Sequence, residues 1–165
     1  FSKTYSMAGW RIGYALGNAQ AISYLAKFKS FLDYGVPVFI QKAAIEAMRQ
    51  GGEKTLAKIY EKRRDAFIDA ARLEAGWIIP KVKGSMYLWA KIPSSSKQRK
   101  AFNFSKDLLL KTGVCLSPGT GFGQAGEGYL RISLVAGENR LREAAKRIGV
   151  FLKTGKSAPR NIPPA

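Results

Sequence analysis

Apolar residues recur every three to four positions through the first half of the chain, which predicts three helices. The first spans Asn18 to Phe31, with Asn18 as its N-cap. The second runs from Val38 to a stop at Gly51-Gly52, where glycine can end a helix with positive φ. The third covers Glu53 to Glu74 and ends at Ala75-Gly76.

Shorter elements are predicted on either side of these helices. Four apolar runs have the length of strands, and they are Trp10 to Leu16, Trp77 to Ile79, Met86 to Ile92 and Tyr129 to Val135, with a brief fifth at Val114 to Leu116. Helical spacing returns in a segment ending near Gly113 and again over Glu138 to Leu152. The Gly-rich stretch between Gly119 and Gly128 lacks the Gly-Lys-Ser/Thr ending of a nucleotide cradle, so it predicts a positioning loop.

This order predicts an α/β chain in two pieces that are joined by a long helix. The predicted ranges are 1–50 for the first piece, 51–75 for the connecting helix, 76–154 for a small α+β domain and 155–165 for a flexible tail. No internal repeat is visible.

The formal charge of +17, from 28 basic and 11 acidic residues, raises nucleic acid as a partner. The basic residues are dispersed and lack interleaved aromatic residues, so a solvated face is the preferred interpretation. A basic nucleic-acid-binding module and a non-catalytic structural fragment nevertheless stay open as alternatives. No run approaches the roughly 20 apolar residues that cross a bilayer, so no membrane partner is predicted.

The remaining composition limits the chemistry. Cys115, the only cysteine, follows Gly113-Val114, and this apolar context predicts a buried or half-buried thiol in a reducing, cytoplasmic compartment. The chain has no histidine, which removes the usual nitrogen ligands, so no metal site is predicted.

The candidate chemistry lies at the start of the chain. Lys3 precedes Arg11 by eight residues, which pairs an imine-forming amine with a permanent cation. The planar fork of arginine suits a phosphate monoester, so one side chain could hold a phosphorylated aldehyde while the other bonds it. That combination describes pyridoxal phosphate and its protein partner. The alternative is a surface lysine and arginine around a Gly-rich turn.

The run from Phe1 to Gly13 resembles the lysine signature of the class I aminotransferases, which are fold-type I pyridoxal-phosphate enzymes. The resemblance implies that Lys3 carries the cofactor as a Schiff base and that Arg11 and Ser2 bind its phosphate. It further implies that residues 1–50 end a large cofactor-binding domain and that the full-length enzyme is a homodimer.

Two later segments carry the same resemblance. Gly128-Tyr129-Leu130-Arg131-Ile132-Ser133 looks like the strand whose arginine clamps the substrate α-carboxylate, whereas the residues alone leave a salt-bridged surface arginine as likely. Tyr87 matches an aromatic residue that faces the substrate, and a simple core aromatic is the alternative.

The sequence motifs of the chain most resemble those of alanine-forming glutamate–pyruvate aminotransferases and LL-diaminopimelate aminotransferases. The resemblance implies ping-pong transamination through Lys3 between an amino acid and a 2-oxo acid, with alanine/pyruvate and glutamate/2-oxoglutarate as the expected pair. Diaminopimelate, another amino acid, or a different reaction of the same fold type remains an alternative.

Overall fold

The computed structural model describes residues 1–51, 53–96 and 100–155. The chain divides into two compact units, the first comprising Phe1–Leu56 and the second beginning at Ala57. The predicted tail at 155–165 lies outside the described residues except for residue 155.

The first unit contains the first two predicted helices, α1 (Ala19–Leu32) and α2 (Val38–Gln50). The Asn18 side chain caps α1, because its Oδ1 accepts hydrogen bonds from the backbone N–H groups of Gln20 at 3.0 Å and Ala21 at 3.2 Å. Gly51 ends α2 with a φ of 72°, which a residue with a side chain rarely adopts. The predictions of the N-cap and of the glycine stop are therefore confirmed.

The strand predicted from Trp10 to Leu16 is wrong. Ala8–Trp10 forms a short 3-10 turn, and residues 11–16 have no regular secondary structure. A strand requires a neighbouring strand to pair its backbone N–H and C=O groups, and the described residues of the first unit include no strand. Leu16 is 86% exposed, so the apolar run is not buried within these residues.

Helix α3 (Glu53–Ala75) spans the boundary between the units, and the second unit continues with β1 (Tyr87–Lys91), α4 (Ala101–Thr112), β2 (Ser117–Pro118), β3 (Tyr129–Ser133) and α5 (Glu138–Thr154). The three strands form an antiparallel sheet in the order β1-β3-β2. In this register Arg131 of β3 lies opposite Trp89 on one side and Ser117 on the other.

The two faces of the sheet differ sharply in burial. Leu88, Ala90, Leu130 and Ile132 are buried in a core that also contains Phe67 of α3, Phe104 and Leu108 of α4, and Leu141, Ala145 and Ile148 of α5. Side chains alternate along a strand, so the residues between them lie on the opposite face. Tyr87, Trp89, Tyr129 and Arg131 therefore share the face that is turned away from the core.

Three further expectations need correction. Trp77 to Ile79 is not a strand, although Trp77 and Ile79 are buried, because the backbone N–H of Trp77 donates to the Ala71 carbonyl of α3 at 3.1 Å and not to another strand. The indole N–H of Trp77 donates to the Lys91 carbonyl at 2.8 Å. Cys115 is exposed. It lies in an extended segment between half-buried Val114 and buried Leu116, where alternation turns its side chain outward. The brief strand lies slightly later than predicted, at Ser117–Pro118.

Among the described residues, no helix combines the length and the apolar character that crossing a bilayer requires. The same residues contain no group of three or more histidine, cysteine, aspartate or glutamate side chains arranged to hold a metal ion.

Candidate functional site

Lys3 lies in a closed turn of the first unit. The backbone N–H groups of Tyr5 and Met7 both donate to the Phe1 carbonyl, at 3.1 and 3.4 Å, which folds residues 1–7 into a compact loop. The Phe1 ring packs against the Tyr5 ring at 5.3 Å, and Met7 is buried. Lys3 is exposed at the outside of this loop, so its amine is accessible to a reactant.

The loop contains two residues in an unusual backbone conformation. Ser6 has a φ of 54°, and Arg11 has a φ of 49° with a ψ of 48°. The left-handed region costs a residue with a Cβ about 1–2 kcal/mol, and such strain concentrates at binding and catalytic sites. The strained backbone therefore lies in the segment that contains Lys3, and Arg11 is itself one of the strained residues.

Arg11 retains capacity to bind an anion. Its Nη1 donates to the Ala8 carbonyl at 2.9 Å, which anchors one edge of an exposed guanidinium group that has five N–H donors. The other N–H groups can donate to a phosphate, and half-buried Ser2 offers a hydroxyl next to Lys3. This donor set, an accessible amine with a guanidinium and a hydroxyl, fits pyridoxal phosphate.

Arg131 occupies a different environment, on the non-core face of the sheet in the second unit. Its guanidinium carbon lies 4.5 Å from the centre of the Tyr87 ring and 4.4 Å from that of Phe122. Contacts of this length are favourable cation–π interactions. The structure thus brings Arg131 and Tyr87 into contact. Neither alternative interpretation, Tyr87 as a plain core aromatic or Arg131 in a surface salt bridge, requires this contact.

The hydrogen-bonding capacity of Arg131 is largely unused. Its Nη2 donates to the Ser117 hydroxyl at 3.4 Å, which is a long contact. Its Nε is buried and has no hydrogen-bond partner. A buried donor without a partner costs free energy, and a carboxylate in the plane of the guanidinium would satisfy it through a bidentate pair.

The loop between β2 and β3 fixes the surroundings of Arg131. Gly119 and Gly126 approach so closely that a Cβ on either would meet the backbone of the other. The Glu127 carboxylate then accepts hydrogen bonds from the N–H groups of Ala101 at 2.7 Å and Gly128 at 2.9 Å. These two hydrogen bonds lower the pKa of Glu127, and the bond from Ala101 has the larger effect. The segment is a fixed loop, as predicted. The hydrogen bond from the Ala101 N–H attaches it to the start of α4.

The sequence interpretation missed Phe122 and Ser117 as neighbours of Arg131. Phe122 was placed only within the predicted positioning loop, because an aromatic residue in a Gly-rich segment has no periodic signal, and Ser117 precedes that loop. The strand alternation of β1 and β3 could have placed Tyr87, Trp89 and Arg131 on one face, but it could not have placed Phe122 there.

Comparison with known proteins identifies the family. The sequence matches the family described as Aminotransferase class I and II over residues 1–148. The chain belongs to this family. The resemblance found in the sequence is therefore confirmed, and so is the cofactor at the level of the family, whose members depend on pyridoxal phosphate.

Individual relatives have different names. Glutamate-pyruvate aminotransferase AlaC of Escherichia coli strain K12 is 40% identical over 160 residues, covering 96% of this chain and 39% of the relative. An LL-diaminopimelate aminotransferase of Natranaerobius thermophilus is 44% identical over 149 residues, covering 89% and 38%. The substrate-bound structure of BacF from Bacillus subtilis has a TM-score of 0.80 and 37% identity, covering 92% of this chain and 38% of that one.

The chain therefore spans about two fifths of the length of these relatives. The helices and strands of the chain and its neighbours among aminotransferase structures agree with the predicted α/β class. The predicted domain boundaries stay a prediction.

Proposed function

We propose that the protein of which this chain is part catalyses pyridoxal-phosphate-dependent transamination between an amino acid and a 2-oxo acid. The observation that carries the proposal is Arg131, whose guanidinium contacts two aromatic rings while its buried Nε has no partner. Such a group favours an anion that can accept two parallel hydrogen bonds, and both substrate classes of a transaminase have an α-carboxylate. The family membership favours this activity over a nucleic-acid-binding module.

The residues of the first unit take the cofactor roles in this proposal. Lys3 is the residue that bonds the cofactor, and the free donors of Arg11 bind its phosphate with help from Ser2. The strained backbone at Arg11 supports this assignment, because strain of this kind persists where function requires one geometry. When bound, pyridoxal phosphate supplies an electron sink that stabilises negative charge at the substrate Cα.

Lys3 then acts as the acid–base group. With the cofactor bound, the neutral amine of Lys3 would remove the proton from the substrate Cα and hold it for the later protonation step. Arg131 orients the substrate by its α-carboxylate, and Tyr87 borders the same position. A second substrate uses these groups in reverse order, so the kinetics should be ping-pong.

Two substrates are the leading candidates. Alanine with pyruvate, paired with glutamate and 2-oxoglutarate, is the first, because AlaC carries that name and the resemblance in the sequence pointed there. LL-diaminopimelate is the second, since a relative of that name is at least as similar to this chain. A homodimer and a cytoplasmic location stay predictions.

A half-reaction assay on the complete gene product tests this function. Alanine, glutamate and LL-diaminopimelate are added singly, and the 2-oxo acid released is measured without a second substrate. We expect glutamate and one of the other two amino acids to react in the wild type and none of the three in Lys3→Ala, whereas Lys42→Ala, at an exposed lysine of α2, should keep full activity. Transamination by Lys3→Ala would reject the proposed chemistry.

A further inference from the structure

We propose that Phe122 is a positioning residue that holds the Arg131 guanidinium in the orientation needed to bind the substrate carboxylate. This inference rests on the proposed function and extends it to a residue of the loop between β2 and β3. Phe122 does not touch the reacting atoms in this proposal, because its effect is exerted through Arg131.

Arg131 needs such support. Its side chain has several rotatable bonds, and the one polar contact described for it is the 3.4 Å hydrogen bond to Ser117. A bond of that length constrains the guanidinium weakly. Two rings contact it closely, with Tyr87 at 4.5 Å and Phe122 at 4.4 Å from the guanidinium carbon.

The Phe122 ring is available to contact Arg131 because it does not pack in the hydrophobic core. The residue is 54% exposed, although a phenylalanine usually buries most of its surface. Its ring meets Trp89 edge to face at 5.7 Å, and Trp89 in turn stacks on Tyr129 at 5.6 Å. This row of aromatic rings on the non-core face limits the positions that the Phe122 ring can take.

The backbone of the loop is fixed as well. Gly119–Phe122 is a short 3-10 turn, and the contact between Gly119 and Gly126 holds it against the following turn. Phe122 is therefore held at its backbone by the two glycines and at its ring by Trp89.

The rings need not compete with a substrate for Arg131. A cation–π contact uses the face of the guanidinium group, whereas a carboxylate binds the N–H donors along its edge. Aromatic contacts thus restrict the rotation of Arg131 and leave Nε free to donate. An arginine that is already ordered loses less conformational entropy when the carboxylate binds.

The test compares three substitutions in the complete gene product. Phe122→Leu removes the aromatic face and keeps an apolar side chain, Phe122→Tyr restores the face, and Phe102→Leu changes an exposed phenylalanine of α4 as a matched control. Losing one cation–π contact should lower kcat/KM by roughly 2- to 30-fold, mainly through a higher KM for both substrates. Phe122→Tyr and Phe102→Leu should stay within about twofold of the wild type.

A second readout separates positioning from folding. The side-chain Nε–Hε signal of Arg131 in heteronuclear NMR should broaden or shift in Phe122→Leu, while hydrogen exchange of β3 stays as in the wild type. An unchanged KM and an unchanged Arg131 signal in Phe122→Leu would overturn the positioning role alone, provided that Arg131→Leu loses activity. Absence of transamination in the wild type would overturn the proposed function together with it.

Discussion

The contact between Gly119 and Gly126 gives the sharpest prediction about the loop that surrounds Arg131. A Cβ added to Gly126 would fall on the carbonyl group of Gly119 and 3.1 Å from its Cα. These neighbours are backbone atoms, which cannot move aside as the end of a flexible side chain can. Gly121 lies in the same loop, and a Cβ added there would meet nothing within 4 Å.

The two glycines should therefore respond in opposite ways to alanine. Neither has a positive φ, so backbone strain does not contribute to the difference. Forcing an extra carbon into a packed site typically costs about 1–3 kcal/mol, and the rigid neighbours of Gly126 place Gly126→Ala near the upper end, at about 3 kcal/mol. Gly121→Ala should instead stabilise by about 0.4–1 kcal/mol, because it restricts only the unfolded chain.

Urea unfolding followed by hydrogen exchange and mass spectrometry measures this difference in the second unit, through peptides covering residues 117–133. We expect the midpoint for these peptides to fall in Gly126→Ala and to stay equal or rise in Gly121→Ala. Equal free energies of unfolding for the two variants would refute the view that the loop is fixed by this backbone contact.

Three other predictions concern single interactions. Asn18→Ala should destabilise the first turn of α1 by about 1 kcal/mol, seen as faster amide exchange there. The hydrogen bond from Arg64 is the main cause of the lowered pKa of Asp65. The ionised Asp65 therefore stabilises the fold above its unfolded pKa near 3.8, and this contribution is lost as the pH falls further. Asp65→Asn should lose less stability than the wild type between about pH 5 and pH 2 in acid titrations. Arg131→Leu should lower kcat/KM about 100- to 10,000-fold in steady-state assays, since a bidentate pair contains two charge-assisted hydrogen bonds.

Local signals in the sequence predicted the helices well. Asn18 and Gly113 illustrate the reason, because a capping side chain and a left-handed glycine act within a few residues of the chain. The apolar run from Tyr129 to Val135 likewise predicted a strand, and the structure contains one at Tyr129–Ser133. The family resemblance depended on contiguous motifs and required no knowledge of packing.

The failures arose where distant residues decide the structure. Trp10 to Leu16 has the composition of a strand, but a strand forms only beside a partner, and the sequence does not say whether one is present. The position of Phe122 against Arg131 depends on a loop closed by Gly119 and Gly126. Contacts between a loop and a sheet face have no periodicity, so no pattern along the chain indicated them.

Trapping of the cofactor on Lys3 tests the central claim most directly. The complete gene product is incubated with pyridoxal phosphate, reduced with borohydride, digested, and mapped by mass spectrometry, with Lys3→Arg as the matched control. We predict a reduced adduct on the peptide that contains Lys3 in the wild type and none at that position in the control. A wild-type protein that binds the cofactor but carries the adduct on another lysine, or that carries no adduct, would contradict the assignment.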